Sequence, residues 1–305
     1  MKALNFGSLN LDYVYQVDHF VQAGETISSR SMQTFCGGKG LNQSIAFGKS
    51  GVDIWHAGAV GKGDSRMLLD ALERAGVHTE LIRKKDCSSG HAIIQNTPDG
   101  ENCIMLYGGA NQEITREEAE ETLQHFREGD YLVLQNEINQ MPYIMEQAHR
   151  RGMRIVLNPS PMDEKIAQLP LEYADCLMLN EVEGLALCEA GSGQETENLL
   201  EKPEEMLARL LKRFPQSRIV LTLGKNGALF GFGEERYKQP VFKVKAVDTT
   251  AAGDTYTGFF ISSLIRGYSV PEALRTAAKA SAIAVGRNGA GVSIPTREEV
   301  EQAQL

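Results

Sequence analysis

Short apolar runs that end in a polar residue or a glycine recur along the chain. The clearest are Arg154-Ile155-Val156-Leu157-Asn158, Cys176-Leu177-Met178-Leu179-Asn180 and Ile219-Val220-Leu221-Thr222-Leu223. Their continuous hydrophobicity predicts strands buried on both faces, as in parallel sheets. Amphipathic stretches separate these runs, and helical spacing over about 254–267 and 271–286 predicts two helices that close the domain. The expected fold class is α/β, an open, mainly parallel sheet with helices on both faces. Ligands in such sheets bind beyond the carboxyl ends of the strands, so Asn158, Asn180 and Gly224 are expected to face one cleft.

Two segments break this rhythm. Residues 12–36 and 87–109 alternate polar and apolar positions, and Pro98-Asp99-Gly100 fits the turn of a hairpin between Ala92-Ile93-Ile94 and Ile104-Met105-Leu106. A small sheet of this kind cannot bury both faces alone, so it must close over a ligand, pack on another subunit, or do both. The expected division is an α/β body of residues 1–11, 38–86 and 110–305, with residues 12–37 and 87–109 forming a β-lid that doubles as a homodimer clasp. Thr115 and Glu118 have the spacing of a capping box opening the next body helix.

A length of 305 residues suits one large α/β domain with an appendage. The net charge of −9 argues against a broad basic surface, so neither nucleic acid nor an anionic membrane is an expected partner. The segment Met1 to Phe6 runs directly into a strand-like stretch without a signal-peptide pattern, and no apolar run is long enough to span a bilayer. A cytoplasmic location is therefore expected. Cys36, Cys87, Cys103, Cys176 and Cys188 form no C-x-x-C pair, and the histidines show no zinc-ligand spacing, which together suit reduced thiols.

The densest chemistry lies in Val247-Asp248-Thr249-Thr250-Ala251-Ala252-Gly253-Asp254-Thr255, a strand end, a glycine-containing turn and a helix start in one run. Free amides of Ala252, Gly253 and Asp254 at the positive end of a helix dipole form an anion hole. A carboxylate beside such a hole is poorly suited to binding phosphate and well placed to take a proton from a hydroxyl attacking it, which suggests a phosphotransferase with Asp254 as base. The competing reading is a first-turn Asp that stabilises its helix by roughly 0.3–1 kcal/mol.

Other segments carry polar groups at places where the chain turns. Cys36-Gly37-Gly38-Lys39-Gly40-Leu41-Asn42 opens a helix, with glycines for close backbone approach and with Lys39 and Asn42 able to reach a polar ligand. Gly48-Lys49-Ser50 is a decoy, because a Walker loop needs a glycine where Gln43 stands. Asn10 and Asp12 in Gly7-Ser8-Leu9-Asn10-Leu11-Asp12 read either as turn residues or as acceptors for a vicinal diol. Asn180 and Glu183 read as a helix start or as groups that order water around a cation. Lys225, after Thr222 and Gly224, could be a phosphate contact or a solvated turn lysine.

These motifs resemble, over nearly the whole chain, those of the ribokinase or PfkB-type family of carbohydrate kinases. The resemblance implies transfer of the γ-phosphoryl group of ATP to the primary hydroxyl of a pentose or related furanose, with D-ribose first among them. It further implies sugar contacts from Asn10, Asp12, Gly38, Lys39, Asn42, Glu137 and Asp254, and nucleotide contacts from Asn180, Thr222, Gly224 and Lys225. Asn180 and Glu183 would act on Mg2+ through water. A K+ ion would be enclosed by the carbonyls of Thr250, Ala284, Arg287 and Gly289 with the side chains of Asp248 and Ser293. Three residues depart from the family pattern: Leu41 and His91, which would alter the wall of the sugar pocket, and Ala278, near the expected adenine. His91 could hydrogen-bond an additional sugar hydroxyl or face outward on its strand, so a related pentose, a ketose or a deoxy sugar stays open as substrate. The runner-up activity is that of a nucleoside kinase or fructokinase of the same superfamily, although a nucleoside needs an aromatic or apolar slot over its base, of which the sequence gives no clear sign. A catalytically silent sugar sensor is a remoter reading, and a dehydrogenase lacks its G-x-G-x-x-G.

Overall fold

The computed structural model describes residues 1–190 and 198–305. The strands are β1 (Ala3–Phe6), β2 (Asn10–Gln16), β3 (Ser31–Gly37), β4 (Ile54–Gly61), β5 (His78–Lys85), β6 (Gly90–Asn96), β7 (Asn102–Tyr107), β8 (Tyr131–Gln135), β9 (Arg154–Asn158), β10 (Cys176–Asn180), β11 (Arg218–Thr222), β12 (Ala228–Phe232) and β13 (Glu235–Gln239). The helices are α1 (Lys39–Lys49), α2 (Arg66–Arg74), α3 (Arg116–Leu123), α4 (Met141–Arg150), α5 (Glu181–Glu189), α6 (Pro203–Arg213), α7 (Ala252–Ile265), α8 (Val270–Val285) and α9 (Arg297–Gln302).

A nine-stranded sheet runs in the order β13-β12-β11-β10-β9-β8-β1-β4-β5. Every pairing from β11 to β5 is parallel, and only β12 and β13 join antiparallel at one edge. Alternate residues of one strand feed different cores. Leu132 and Leu134 pack with the helices of one face, including Ile144 and Leu210, while Tyr131 and Val133 pack with Phe47, Phe260 and Ala277 on the other. This two-sided burial is what the unbroken apolar runs require. Among the described residues no helix is long and apolar enough to cross a membrane.

Helix α7 is apolar or small nearly all round and is buried over most of its length. It lies so close to α1 that a Cβ on Gly258 would sit 2.4 Å from the Ala46 methyl. A glycine there lets two helices that both begin at the cleft come within contact of one another.

The remaining strands form a separate four-stranded sheet in the order β3-β2-β6-β7. The expected hairpin is present, with Ile93 opposite Met105 and Ile94 opposite Ile104, and β2 starts at Asn10, two residues ahead of the expected lid boundary at residue 12. Pairing places Asn10 beside Gly37 and Gly90, and Asp12 beside Phe35 and Ala92, so these share one face. Leu11, Tyr13, His91 and Tyr107 share the other. His91 packs edge-on to Tyr13 and against Tyr107, with ring centroids 5.7 and 4.9 Å apart. The expectation that His91 faces a sugar is therefore corrected: the period of a strand puts it on the side opposite Asn10 and Asp12. The capping box of Thr115 and Glu118 forms at the start of α3.

Candidate active site

The carboxyl ends of β9, β10 and β11 and the first turns of α5 and α7 enclose a cleft of about 230 Å³ lined by Lys39, Asn158, Asn180, Glu183, Thr222 and residues 251–254, among others. Asp254 lies in the first turn of α7 and is buried. Ala251, the N-cap, adopts a left-handed conformation at φ 59° that an L-residue enters only at a cost. That turn is pinned to α8, because the amides of Val247 and Asp248 both donate to the Val285 carbonyl and Ser281 Oγ donates to the Ala252 carbonyl.

One part of the expected anion hole is corrected. The Ala252 amide donates to the Thr249 carbonyl at 3.2 Å, which closes a β-turn around Thr250 and Ala251. The amides of Gly253 and Asp254 carry no partner among the described residues and remain available to an anion.

Both oxygens of Asp254 are held by side chains of α1. Asn42 Nδ2 donates to Oδ2 at 3.2 Å and Gln43 Nε2 donates to Oδ1 at 3.0 Å. Each carboxylate oxygen accepts more than one hydrogen bond, so this grip fixes the carboxylate and leaves lone pairs for a hydroxyl. Asn42 Oδ1 is buried without a partner among the described residues, an acceptor awaiting a donor. Gln43 belongs to a buried chain: Gln135 Nε2 donates to Gln43 Oε1 at 2.7 Å and to Asn5 Oδ1 at 3.0 Å, and Asn5 Nδ2 reaches the Gly40 carbonyl at 2.7 Å. The centre of the sheet thus orients Asp254. The sequence-level signal for this chain is an amide side chain inside an apolar strand, at Asn5 in β1 and Gln135 in β8.

A second pair of carboxylates comprises Glu137, just after β8, and Asp12 on β2 of the small sheet. Glu137 Oε2 accepts from the Lys39 amide at 2.8 Å and from the Ser8 hydroxyl. Burial raises the Glu137 carboxyl above its ordinary range, opposed by the Ser8 hydroxyl and Lys39. Burial, with the nearby Glu137 charge second, pushes Asp12 up to about 6. Asn10 Oδ1 accepts from Asn111 Nδ2 at 2.7 Å, and Asn111 Oδ1 accepts from the Leu9 amide at 3.0 Å. Asn111 was not singled out from sequence, since it lies in a short turn with no motif around it. Lys39 joins the two groups. Its burial disfavours the ammonium, but Asp254, Glu137 and Glu183 favour it more, so its pKa is raised and it stays charged.

The other expected residues divide clearly. Asn180 and Glu183 form a reciprocal capping box at the start of α5, and Asn158 Nδ2 also reaches Glu183 Oε2 at 3.3 Å. Both still line the cleft, so the cap and a role toward the cleft coexist. Thr222 lines it as well, its hydroxyl on the Leu179 carbonyl. Gly224 and Lys225 lie on an exposed turn beyond the lining residues. Asp248 draws together the segments expected around K+: its oxygens accept from the amides of Thr250 and Gly289 at 2.9 and 3.0 Å. The Ala284 carbonyl accepts from the Arg287 amide, the Arg287 side chain pairs with Glu299, and Ser293 Oγ donates to the Ala290 carbonyl. Leu41 has no exposed surface and belongs to the core, which corrects its expected place on the pocket wall. Ala278 is likewise buried in the core. Lys49 of the decoy ties α1 to the Ile294 carbonyl at 2.6 Å.

The chain is similar to known proteins over nearly its full length. The ribokinase of Staphylococcus aureus (strain COL) is 33% identical over 99% of this chain and 99% of its own length. The structure is similar to that of a ribokinase from Cryptococcus neoformans in complex with ADP, with a TM-score of 0.88 and 32% identity over 99% of both chains. A ribokinase from Arabidopsis thaliana complexed with ribose and ATP superposes with a TM-score of 0.87 at 28% identity, over 99% of this chain and 97% of that one. Residues 2–297 match the pfkB family of carbohydrate kinases, and the chain belongs to that family.

Proposed function

We propose that this protein transfers the γ-phosphoryl group of ATP to the primary hydroxyl of D-ribose, giving ribose 5-phosphate and ADP. One observation carries the reading: a buried carboxylate at a helix N-terminus, Asp254, is joined through the charged Lys39 to the half-buried carboxylate of Glu137, which in turn acts on half-buried Asp12 of β2. The first end suits proton removal next to an anion, and the second suits a polyhydroxylated ring. The ribokinase relatives support ribose in particular. The residues that argued for a different sugar add nothing against it, since Leu41 is core and His91 lies on the far face of the lid.

In the reaction, Asp12, Asn10 and Glu137 hold ring hydroxyls and orient the primary hydroxyl toward Asp254. Asp254 takes its proton while the oxygen forms a bond to the γ-phosphorus and the bond to the ADP oxygen breaks. The Gly253 and Asp254 amides, Lys39 and the α7 dipole stabilise the negative charge of the transferred group, where electrostatics and positioning do most of the catalysis. Lid closure excludes water as a competing acceptor.

Mg2+ bound with ATP would neutralise phosphate charge. The donor set fits an ion that keeps most of its water: Glu183 and Asn180 stand at the cleft, and the described residues contain no cluster of acidic, His or Cys side chains that would strip a cation of its shell. K+ fits the junction of residues 248–250 and 284–293, where Asp248 supplies charge and draws the Thr250 and Gly289 amides together; there it would stiffen the turn before α7. The exposed apolar strand β7, with Ile104, Met105, Leu106 and Tyr107 each more than half exposed, supports homodimerisation through the lid. Dependence on ATP and five free thiols fit a cytoplasmic enzyme.

ADP release measured with ribose, 2-deoxyribose, fructose and nucleosides tests the substrate. Asp254→Asn is expected to lower kcat by at least about 10²-fold, the low end for a general base, with ribose binding by calorimetry retained. Near-normal turnover in that variant refutes the assignment of the base.

A further inference from the structure

At the opposite end of α7 from Asp254 lies a second cavity of about 170 Å³ between α7, α8 and α9. Along α7, the lining residues Phe259, Ser262, Ser263 and Arg266 stand beyond Asp254 by about 8–18 Å at the helical rise. In a chain of net charge −9, this cavity is lined by Arg266, Arg275, Lys279 and Arg297, with Glu301 as the one carboxylate among the lining residues. Arg297 pairs with Glu301 at 2.6 Å, and Arg266 donates to the Gly51 carbonyl at 2.8 Å. Arg275 and Lys279 have no carboxylate partner among the described residues, and Arg275 is exposed.

A further observation points to a ligand. Ser262 lines this cavity, is 1% exposed, and its hydroxyl has no hydrogen-bond partner among the described residues. Its neighbour Ser263 returns its own hydroxyl to the Phe259 carbonyl at 2.8 Å, the usual satisfaction of a helical serine, so the orphan is not a rule of the helix. A buried hydroxyl without a partner costs stability that a bound acceptor returns.

We propose that this cavity is a second ligand site that takes a dianionic phosphate group, either free or as a small monoester. The excess of positive charge matches a dianion better than a carboxylate. Guanidinium forks and the Thr276 and Ser262 hydroxyls supply donors, and Phe259 and Val300 provide an apolar wall for a short carbon chain. The site is separate from the sugar cleft and does not depend on which sugar that cleft accepts.

The test is calorimetric titration of the full chain with inorganic phosphate and with glycerol 3-phosphate, which lacks the ring that the sugar face grips. Magnesium and a non-hydrolysable ATP analogue fill the first anion hole. Saturable binding is expected, weakened at least about tenfold in Arg275→Ala/Lys279→Ala, as the loss of a charge-assisted hydrogen bond predicts. Lys279→Glu should weaken it further, with melting and basal kinase activity unchanged in both variants. Tighter binding of glycerol 3-phosphate identifies a monoester site, and equal binding identifies the phosphate group itself as the ligand. Absence of saturable heat from both probes, or unchanged affinity in the double variant, overturns the proposal.

Discussion

Gly37→Ala should damage sugar binding without altering any residue that touches the sugar. A Cβ at Gly37 falls 2.0 Å from Asp12 Oδ2 and 2.5 Å from its Cγ, so the new methyl occupies the place of the Asp12 carboxylate. Gly37 is not among the glycines with positive φ, hence alanine fits the backbone and the side chain of Asp12 must swing away. An ionised Asp12 gripping two ring hydroxyls makes charge-assisted bonds worth about 1.5–3 kcal/mol each. Forfeiting one raises the KM for ribose by about 10–150-fold. The turnover number, assigned by the proposed mechanism to Asp254 and the Gly253 and Asp254 amides, should stay within about threefold, and the KM for ATP should not change. Initial rates of ADP release across ribose concentrations measure all of these quantities, with Asp12→Ala as the benchmark and thermal melting to confirm a folded variant. A folded Gly37→Ala protein whose ribose KM lies within about twofold of the parent value refutes the claim that Asp12 grips the sugar.

The pH dependence follows from the same carboxylate. Burial and Glu137 raise Asp12 to about 6, so kcat/KM for ribose should fall as the pH drops through that value, and Asp12→Asn should lose this limb; an unchanged acid limb in the variant assigns it elsewhere. A raised carboxylate favours the fold while protonated, and its contribution is lost as the pH rises through about 6, so Asp12→Asn should gain in melting temperature relative to the parent at pH above about 7 but not below about 4. Gln43→Leu removes one hydrogen bond to the ionised Asp254 and should lower kcat about tenfold or more, with the ribose KM little changed; steady-state kinetics that show only a KM effect would count against a positioning role. Ile104→Lys with Met105→Lys, adjacent positions that cover both faces of β7, should convert a dimer to a monomer by light scattering, and a parent protein already monomeric at micromolar concentration contradicts the clasp.

What could be read from sequence was local. The strand ends at Asn158 and Asn180, the hairpin around Asp99, and the turn that presents Asp254 each depend on residues within a few positions of one another, and all are present. His91 shows where that kind of reading stops. Alternation groups His91 with Tyr13 and Tyr107, but both faces of the small sheet carry apolar residues, so pattern alone does not separate His91 from Asn10 and Asp12; the register of β2 against β3 and β6 does. Ala251 was invisible for a different reason, because alanine does not advertise a left-handed backbone and the surrounding fold imposes it. The grip on Asp254 was invisible because it joins residues 211 and 212 positions apart. Close packing of α1 on α7, permitted by Gly258, brings Asn42 and Gln43 to a carboxylate from the other end of the chain. In the proposed role of base, Asp254 gains from being held on both oxygens, since reorientation during the reaction would cost catalysis. The glycine in the middle of α7 is therefore as much a part of the active site as the residues that line it: a side chain there would part the two helices and release the carboxylate from both amides.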